Sequence, residues 1–164
     1  MIKFTDTMVT FREVPNEISL CINISNCPNH CLGCHSKELQ EDIGEHLTCE
    51  KLCSLIEENK GITCVCFMGG DANFLEIQDL CCMVKLEFPT LLTCWYSGRN
   101  KLPKNIDLGW FNFIKLGPYK EECGGLDNPN TNQRFYKVQM SRTIIGDFPI
   151  YSLMDITNKF WKIC

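Results

Sequence analysis

Residues 62–87, ITCVCFMGGDANFLEIQDLCCMVKLE, predict the repeating unit of the fold. The short apolar run 62–67 is typical of a buried β-strand. The turn MGGDAN follows this strand, and apolar residues then recur at helical spacing over residues 74–87, until Pro89 ends the helix. A strand, a glycine-containing turn and a helix in this order are typical of the α/β class.

A second unit of this kind lies upstream. Residues 18–24, ISLCINI, predict a buried strand because the run is short and rich in β-branched residues. After a polar loop, residues 48–60 predict an amphipathic helix with Thr48 as its N-cap and Gly61 just beyond its end. The predicted apolar face of this helix consists of Cys49, Leu52, Cys53, Leu55 and Ile56.

The rest of the chain continues the pattern with strands and little helix. We predict strands over 90–96, 111–117, 135–140 and within 144–154, and a weak helix over 155–161. Alternation of strands and helices implies a mostly parallel sheet with right-handed crossovers. Folds of this type carry their sites on the loops that leave the carboxyl ends of the strands. We therefore expect one domain over residues 1–164, with its site on such loops.

The composition restricts the possible classes of function. The 164 residues carry a formal net charge of -4, with 45% hydrophobic and 22% charged residues, as in ordinary globular proteins. A negative net charge gives no support for a nucleic-acid partner. No apolar run approaches the roughly 20 residues of a membrane helix, and the first residues show no secretory signal. The expected location is the cytoplasm, without a membrane partner.

Thirteen cysteines are an unusual number for a chain of this length. A disulfide framework is not favoured because the count is odd and no export signal is visible. Reduced cysteine behaves as a small apolar residue. We therefore predict that Cys64 and Cys66 pack on one face of a strand and that Cys81 and Cys82 pack on a buried helix face.

Three other cysteines, Cys27, Cys31 and Cys34, have a C-x3-C-x2-C spacing on the polar loop after the first predicted strand. A polar loop is a poor place to bury thiols, so the spacing favours metal binding. A structural zinc site needs four ligands, and His30 or His35 would have to supply the fourth. A [4Fe–4S] cluster held by three cysteines would instead leave one iron free to bind a substrate or cofactor. The spacing alone leaves both alternatives open.

The turn Gly69-Gly70-Asp71 follows the next predicted strand. Adjacent glycines let a ligand approach the backbone, and a carboxylate accepts hydrogen bonds from an ammonium group. Such a turn is common by itself, so its position at a strand end gives it weight. Ser97 and Lys115 follow or lie in later predicted strands, and their hydroxyl and ammonium groups suit a cofactor carboxylate or ribose.

These motifs resemble those of one enzyme superfamily. Cys27, Cys31 and Cys34 match the cluster motif of radical S-adenosylmethionine enzymes, and Gly69-Gly70-Asp71 resembles their Gly-Gly-Glu type motif. The segments CPNHCLGCHS (27–36) and GLDNPNTNQRFY (125–136) are more narrowly similar to activating proteins of anaerobic (class III) ribonucleoside-triphosphate reductases. The resemblance extends over residues 18–162, with Ala72 in place of a proline that family members often carry.

The resemblance implies an α/β fold of the radical S-adenosylmethionine type, a partial, open (β/α) barrel with a mostly parallel sheet. It implies a [4Fe–4S] cluster on Cys27, Cys31 and Cys34, with S-adenosylmethionine bound to the fourth iron. The candidate cofactor-binding residues are Gly69, Gly70 and Asp71, with Ser97 and Lys115 as further candidates.

The implied activity is installation of a glycyl radical on the large subunit of the anaerobic reductase. A 5′-deoxyadenosyl radical would abstract the glycine hydrogen, and a flavodoxin-type protein would donate the electron. Two other functions remain open: activation of a different glycyl-radical enzyme of the formate-lyase type, and a zinc-binding interaction module without enzymatic activity.

Overall fold

Eight strands form one continuous sheet in the computed structural model, which describes residues 1–145 and 148–161. The strands are β1 Lys3–Thr10, β2 Ser19–Ile24, β3 Glu45–His46, β4 Cys64–Met68, β5 Leu92–Tyr96, β6 Phe113–Leu116, β7 Arg134–Ile145 and β8 Phe148–Asp155. The two α-helices of these ranges are α1 Cys49–Glu58 and α2 Phe74–Glu87. The order of the strands across the sheet is β3-β1-β2-β4-β5-β6-β7-β8.

The fold is α/β, but the sheet is mixed. Strands β2, β4, β5 and β6 run parallel in the centre, whereas β1, β3, β7 and β8 pair antiparallel with their neighbours. The prediction of a mostly parallel sheet is therefore wrong for the outer strands, because short connections and hairpins produce antiparallel pairs. Over the described ranges the sheet has two edges, β3 and β8, and does not close into a barrel.

The central strand–helix units follow the sequence pattern. Helix α2 has the predicted bounds, Phe74–Glu87. Helix α1 begins after Thr48, whose hydroxyl accepts a hydrogen bond from the Lys51 amide at 3.2 Å, which confirms the predicted N-cap. Neither helix of the described ranges has the length and apolar character needed to cross a bilayer.

The outer parts of the sheet differ from the prediction. Strands β1 and β3 were not predicted, since β1 has only three apolar residues without regular alternation and β3 has only two residues. The separate strands expected near 135–140 and 144–154 are a single hairpin of β7 and β8, in which Ile145 pairs with Phe148. The expected helix over 155–161 is only a short 3-10 helix, Thr157–Phe160. Residues 146–147 and 162–164, which belong to the predicted domain 1–164, lie outside the described residues. Residues 146–147 also fall within the predicted strand region 144–154.

The sheet buries a different set of side chains on each face. Helices α1 and α2 pack on one face, through residues such as Leu52 and Ile77. The other face, which we call the thiol face, carries Cys21, Cys66 and Cys94 at matching positions of β2, β4 and β5. Because side chains alternate along a strand, the pattern CVC places both cysteines of β4 on this face.

The structure confirms most of the predicted core cysteines. Cys64, Cys66 and Cys81 have no exposed surface. Cys82 is only half-buried, because neighbouring residues on a helix point about 100° apart and cannot share a face. Cys49 is exposed at the first turn of α1, so it does not belong to the predicted apolar face.

Burial keeps the core thiols protonated. Loss of hydration raises the pKa of Cys64, Cys66 and Cys81, and it raises the pKa of Cys94 to about 12. Protonated thiols pack as small apolar groups at neutral pH. Much of the unusual cysteine content is therefore core packing.

Candidate functional site

The loop with the three motif cysteines leaves the carboxyl end of β2. It turns through Asn26, His30 and Gly33, whose φ angles are 58°, 43° and 72°. Its first part is anchored by backbone hydrogen bonds, including Cys27 N to Leu39 O at 2.8 Å. Cys27, Cys31 and Cys34 are half-buried, in contrast to the fully buried core cysteines.

Neither histidine of this loop lies among the cysteines as a ligand. The His30 Nδ1 atom is 3.2 Å from Gln40 Oε1, and the His35 ring packs against Tyr119 with 4.9 Å between centroids. Across residues 1–145 and 148–161, no three side chains of His, Cys, Asp or Glu are gathered closely enough to hold a metal ion.

The Gly-Gly-Asp turn leaves the carboxyl end of β4, the neighbour of β2 in the sheet. Gly70 has a φ of 83°, and a Cβ atom there would lie 2.5 Å from Ile77 Cδ1. Only glycine fits this conformation and this spacing. Trp95 Nε1 donates a hydrogen bond to the Gly69 carbonyl at 2.7 Å, which fixes the turn against β5.

The Asp71 carboxylate is 1% exposed and is surrounded by donors of the chain. Oδ1 accepts a hydrogen bond from Ser97 Oγ at 2.6 Å. Oδ2 accepts hydrogen bonds from Asn29 Nδ2 at 2.7 Å and from the Gly98 amide at 2.8 Å. Arg99 Nε lies 3.5 Å from Oδ1. Three hydrogen bonds therefore occupy three of the about four acceptor positions of this carboxylate, and the Arg99 guanidinium is its charge partner.

Asn29 connects the two loops. Its Nδ2 atom donates to Asp71 and also lies 3.6 Å from Cys27 Sγ. Its side chain packs against Gly98, where an added Cβ would be 2.4 Å from Nδ2. The cysteine loop and the Gly-Gly-Asp turn therefore form one site, as the prediction of loops at neighbouring strand ends requires.

Lys115 lies on β6 beside this site and is 8% exposed. Its Nζ donates to the Gly117 carbonyl at 2.6 Å and lies 6.0 Å from the centroid of the Tyr96 ring. Burial lowers the Lys115 pKa to about 8, against the opposing effect of Asp71 and Cys31. A buried cation thus lies near both loops.

Two side chains that contact Asp71, Ser97 and Arg99, differ from the sequence prediction. The Ser97 hydroxyl is fully buried and donates to Asp71, so it acts on that carboxylate directly. Arg99 was not predicted: its Nη2 donates to the Asp71 carbonyl at 2.6 Å, and its guanidinium lies 5.5 Å from the Phe74 ring centroid. The sequence gives no signal for Arg99 except its position two residues after Ser97.

The segment 117–126 covers the cysteine loop, although no element was predicted over residues 118–126. Tyr119 packs on His35, and Glu121 Oε2 lies 3.1 Å from the place a Cβ of Gly33 would occupy. The TNQR sequence, 131–134, holds this segment in place. Asn132 Nδ2 donates to the Pro118 carbonyl at 2.9 Å.

Arg134 closes the TNQR turn. Its Nη1 atom donates to the main-chain carbonyls of Thr131 and Gln133, at 2.6 and 2.7 Å. Its Nε lies 3.7 Å from Asp155 Oδ2. These contacts give TNQR a structural role at the edge of the site.

A cavity of about 410 Å³ opens on the thiol face beside Lys115. Its walls include His35, Tyr96, Tyr119, Gln133 and Phe160. A cavity of this volume is large enough for a small organic cofactor.

The whole chain was compared with known proteins in three ways. A scan of protein-family models, a search of curated proteins and a search of solved structures each gave no significant match.

Proposed function

We propose that the chain is a radical S-adenosylmethionine enzyme that installs a glycyl radical on the large subunit of anaerobic ribonucleoside-triphosphate reductase. The proposal is carried by the bridge that Asn29 makes between Asp71 and Cys27, at 2.7 and 3.6 Å. This bridge unites the two motifs on which the family resemblance depends. The α/β fold with parallel central strands is compatible with an open barrel of the radical S-adenosylmethionine type.

The donor set of the cysteine loop fits an iron–sulfur cluster. Cys27, Cys31 and Cys34 would hold a [4Fe–4S] cluster, and their side chains would turn toward one another on ligation. Asn29 Nδ2 is placed to donate a hydrogen bond to the Cys27 sulfur, a type of contact that tunes metal-bound thiolates. When bound, the cluster and S-adenosylmethionine supply a carbon radical by one-electron cleavage of the sulfonium C–S bond.

The surrounding residues suit the polar end of S-adenosylmethionine. The glycine turn exposes backbone at a strand end. The Asp71 carboxylate already accepts three hydrogen bonds, so the methionine ammonium would take its remaining acceptor position or replace one of the present donors. Lys115, mostly protonated at neutral pH because its pKa is about 8, suits the methionine carboxylate.

The thiol face would limit access of water to a reactive radical. Cys66, Cys94 and Phe135 have no exposed surface there, and an apolar wall excludes competing reactions. The open side of the sheet leaves room for a protein substrate. Reduced thiols and an electron donor of the flavodoxin type belong to the cytoplasm, where we place the reaction.

The proposal is tested by electron paramagnetic resonance. The protein is reconstituted anaerobically with iron and sulfide and mixed with the large reductase subunit, S-adenosylmethionine and a reductant. We expect a glycyl-radical signal on the reductase. Cleavage of S-adenosylmethionine without that signal, together with a signal on a formate-lyase type enzyme, would assign the chain to the other activase class.

A further inference from the structure

The Gln133 side chain lines the cavity that opens beside Lys115. Gln133 is 6% exposed. Its main-chain amide donates to Thr131 Oγ1, and its carbonyl accepts a hydrogen bond from Arg134 Nη1. Within residues 1–145 and 148–161, the Gln133 side chain has no hydrogen-bond partner. A carboxamide that lines a cavity and has no partner in the protein is free to bond a ligand there. This carboxamide is therefore a candidate ligand-binding group.

The strand pattern directs this carboxamide into the cavity. Gln133 precedes β7 and lies two residues before Phe135, so both side chains point to the same face of the sheet. Phe135 packs on the thiol face against Tyr96 and Phe160, which line the cavity with Gln133. Phe135 also pairs with Lys115 in register, so the carboxamide lies one strand from the buried cation.

The cavity continues outward to the protein surface. A second cavity of about 460 Å³ shares Arg12, Asp127 and Phe160 with the first and reaches Phe11, which is 73% exposed. We call the two connected cavities the Gln133 groove. The first cavity is large enough for a cofactor by itself, so the outer part suits a longer ligand. Its walls carry both signs of charge, Arg12 and Lys159 against Asp127, which favours a neutral chain over a polyanion.

We propose that the Gln133 groove receives an extended segment of the partner protein and that the Gln133 carboxamide positions the main chain of its target glycine. This inference rests on the proposed function, in which the reacting residue is glycine. Glycine has no side chain, so its peptide groups are the only parts of the residue that a protein can recognise. A carboxamide offers one donor and one acceptor in a plane, which matches the N–H and C=O of a peptide. Gln133 is a positioning residue and takes no part in the chemical step.

The test compares Gln133→Leu with Gln139→Leu, a control at an exposed glutamine of the strand that follows, β7. All proteins are reconstituted anaerobically, and the dissociation constants for the large reductase subunit and for S-adenosylmethionine are measured separately. We expect Gln133→Leu to bind the reductase about tenfold more weakly, with unchanged affinity for S-adenosylmethionine. The control should match the wild type in both. If Gln133→Leu does not fold, the isosteric Gln133→Glu replaces it, because this variant keeps the acceptor and loses the donor.

A second readout measures how tightly cleavage of S-adenosylmethionine is coupled to formation of the glycyl radical. Poor positioning of the glycine should raise the amount of 5′-deoxyadenosine formed per glycyl radical in Gln133→Leu. Equal reductase affinity in the wild type and Gln133→Leu would overturn the inference, as would a loss confined to S-adenosylmethionine, which would make Gln133 a cofactor contact. A wild-type protein that neither binds the reductase nor forms its radical would instead overturn the proposed function, and this inference with it.

Discussion

Lys115 is the residue whose protonation is most directly coupled to the fold at this site. It is 8% exposed, and burial lowers its pKa from 10.5 to about 8. Between these two values the unfolded chain binds more protons than the folded protein does. Stability therefore rises with pH across this window, because the cost of burying the ammonium disappears as it loses its proton.

We expect Lys115→Met to reveal this dependence. Between pH 8 and pH 10.5, the unfolding free energy of the wild type should rise relative to that of Lys115→Met. The increase should reach up to about 3 kcal/mol. Urea unfolding of both cluster-free proteins at several pH values measures the difference, in which the ionisation of unfolded cysteines cancels. A difference that stays constant with pH would show that Lys115 is not desolvated.

Asn29 stabilises the contact between the two loops. In Asn29→Ala, the buried Asp71 carboxylate loses one of its donors, and we expect a loss of about 1–3 kcal/mol in unfolding free energy. The reconstituted variant should also release iron faster, because the cysteine loop is less well fixed. Urea unfolding and iron-release kinetics measure both effects. Asn105→Ala, at an exposed asparagine, serves as the control, and equal behaviour of the two variants would contradict the bridging role.

At the scale of elements, the Gly-Gly-Asp turn depends on Gly70 for space as well as for backbone conformation. Gly61 offers a matched comparison: its φ is 90°, but an added Cβ there has no atom within 4 Å. Gly61→Ala should cost about 1–2 kcal/mol from the left-handed backbone alone. Gly70→Ala should cost about 1–3 kcal/mol more, since Ile77 is fully buried and must move. Thermal and urea unfolding measure both changes, and equal losses would show that Ile77 adjusts freely.

The elements that were predicted correctly are those with a local signal. Helix α2 has apolar periodicity and a following proline, and α1 has its Thr48 cap, so their residues specify them. Strand β1 lacks such a signal, because its few apolar residues do not alternate and its formation depends on pairing with β2. The same holds for the antiparallel pair of β7 and β8, whose register depends on pairing along both strands, from Tyr136 with Asp155 to Ile145 with Phe148.

At the scale of the whole molecule, the site combines predictable and unpredictable parts. Parallel neighbouring strands bring their carboxyl ends together, so the sequence predicts that Cys27 and Asp71 approach each other. The contacts of Asp71 with Asn29 and Arg99 join residues 42 and 28 positions apart. Such pairings depend on the packed loops, and no local pattern in the sequence indicates them.

In the proposed function, the cysteine loop and the Gly-Gly-Asp turn form one site for reductive cleavage of S-adenosylmethionine. Its most direct test is the amount of 5′-deoxyadenosine formed by the anaerobically reconstituted, reduced protein, compared with Cys31→Ala and with Cys49→Ala, a control at an exposed cysteine outside the motif. We expect product in the wild type and in Cys49→Ala, and none in Cys31→Ala. Tight stoichiometric zinc with no product in any of the three proteins would contradict it.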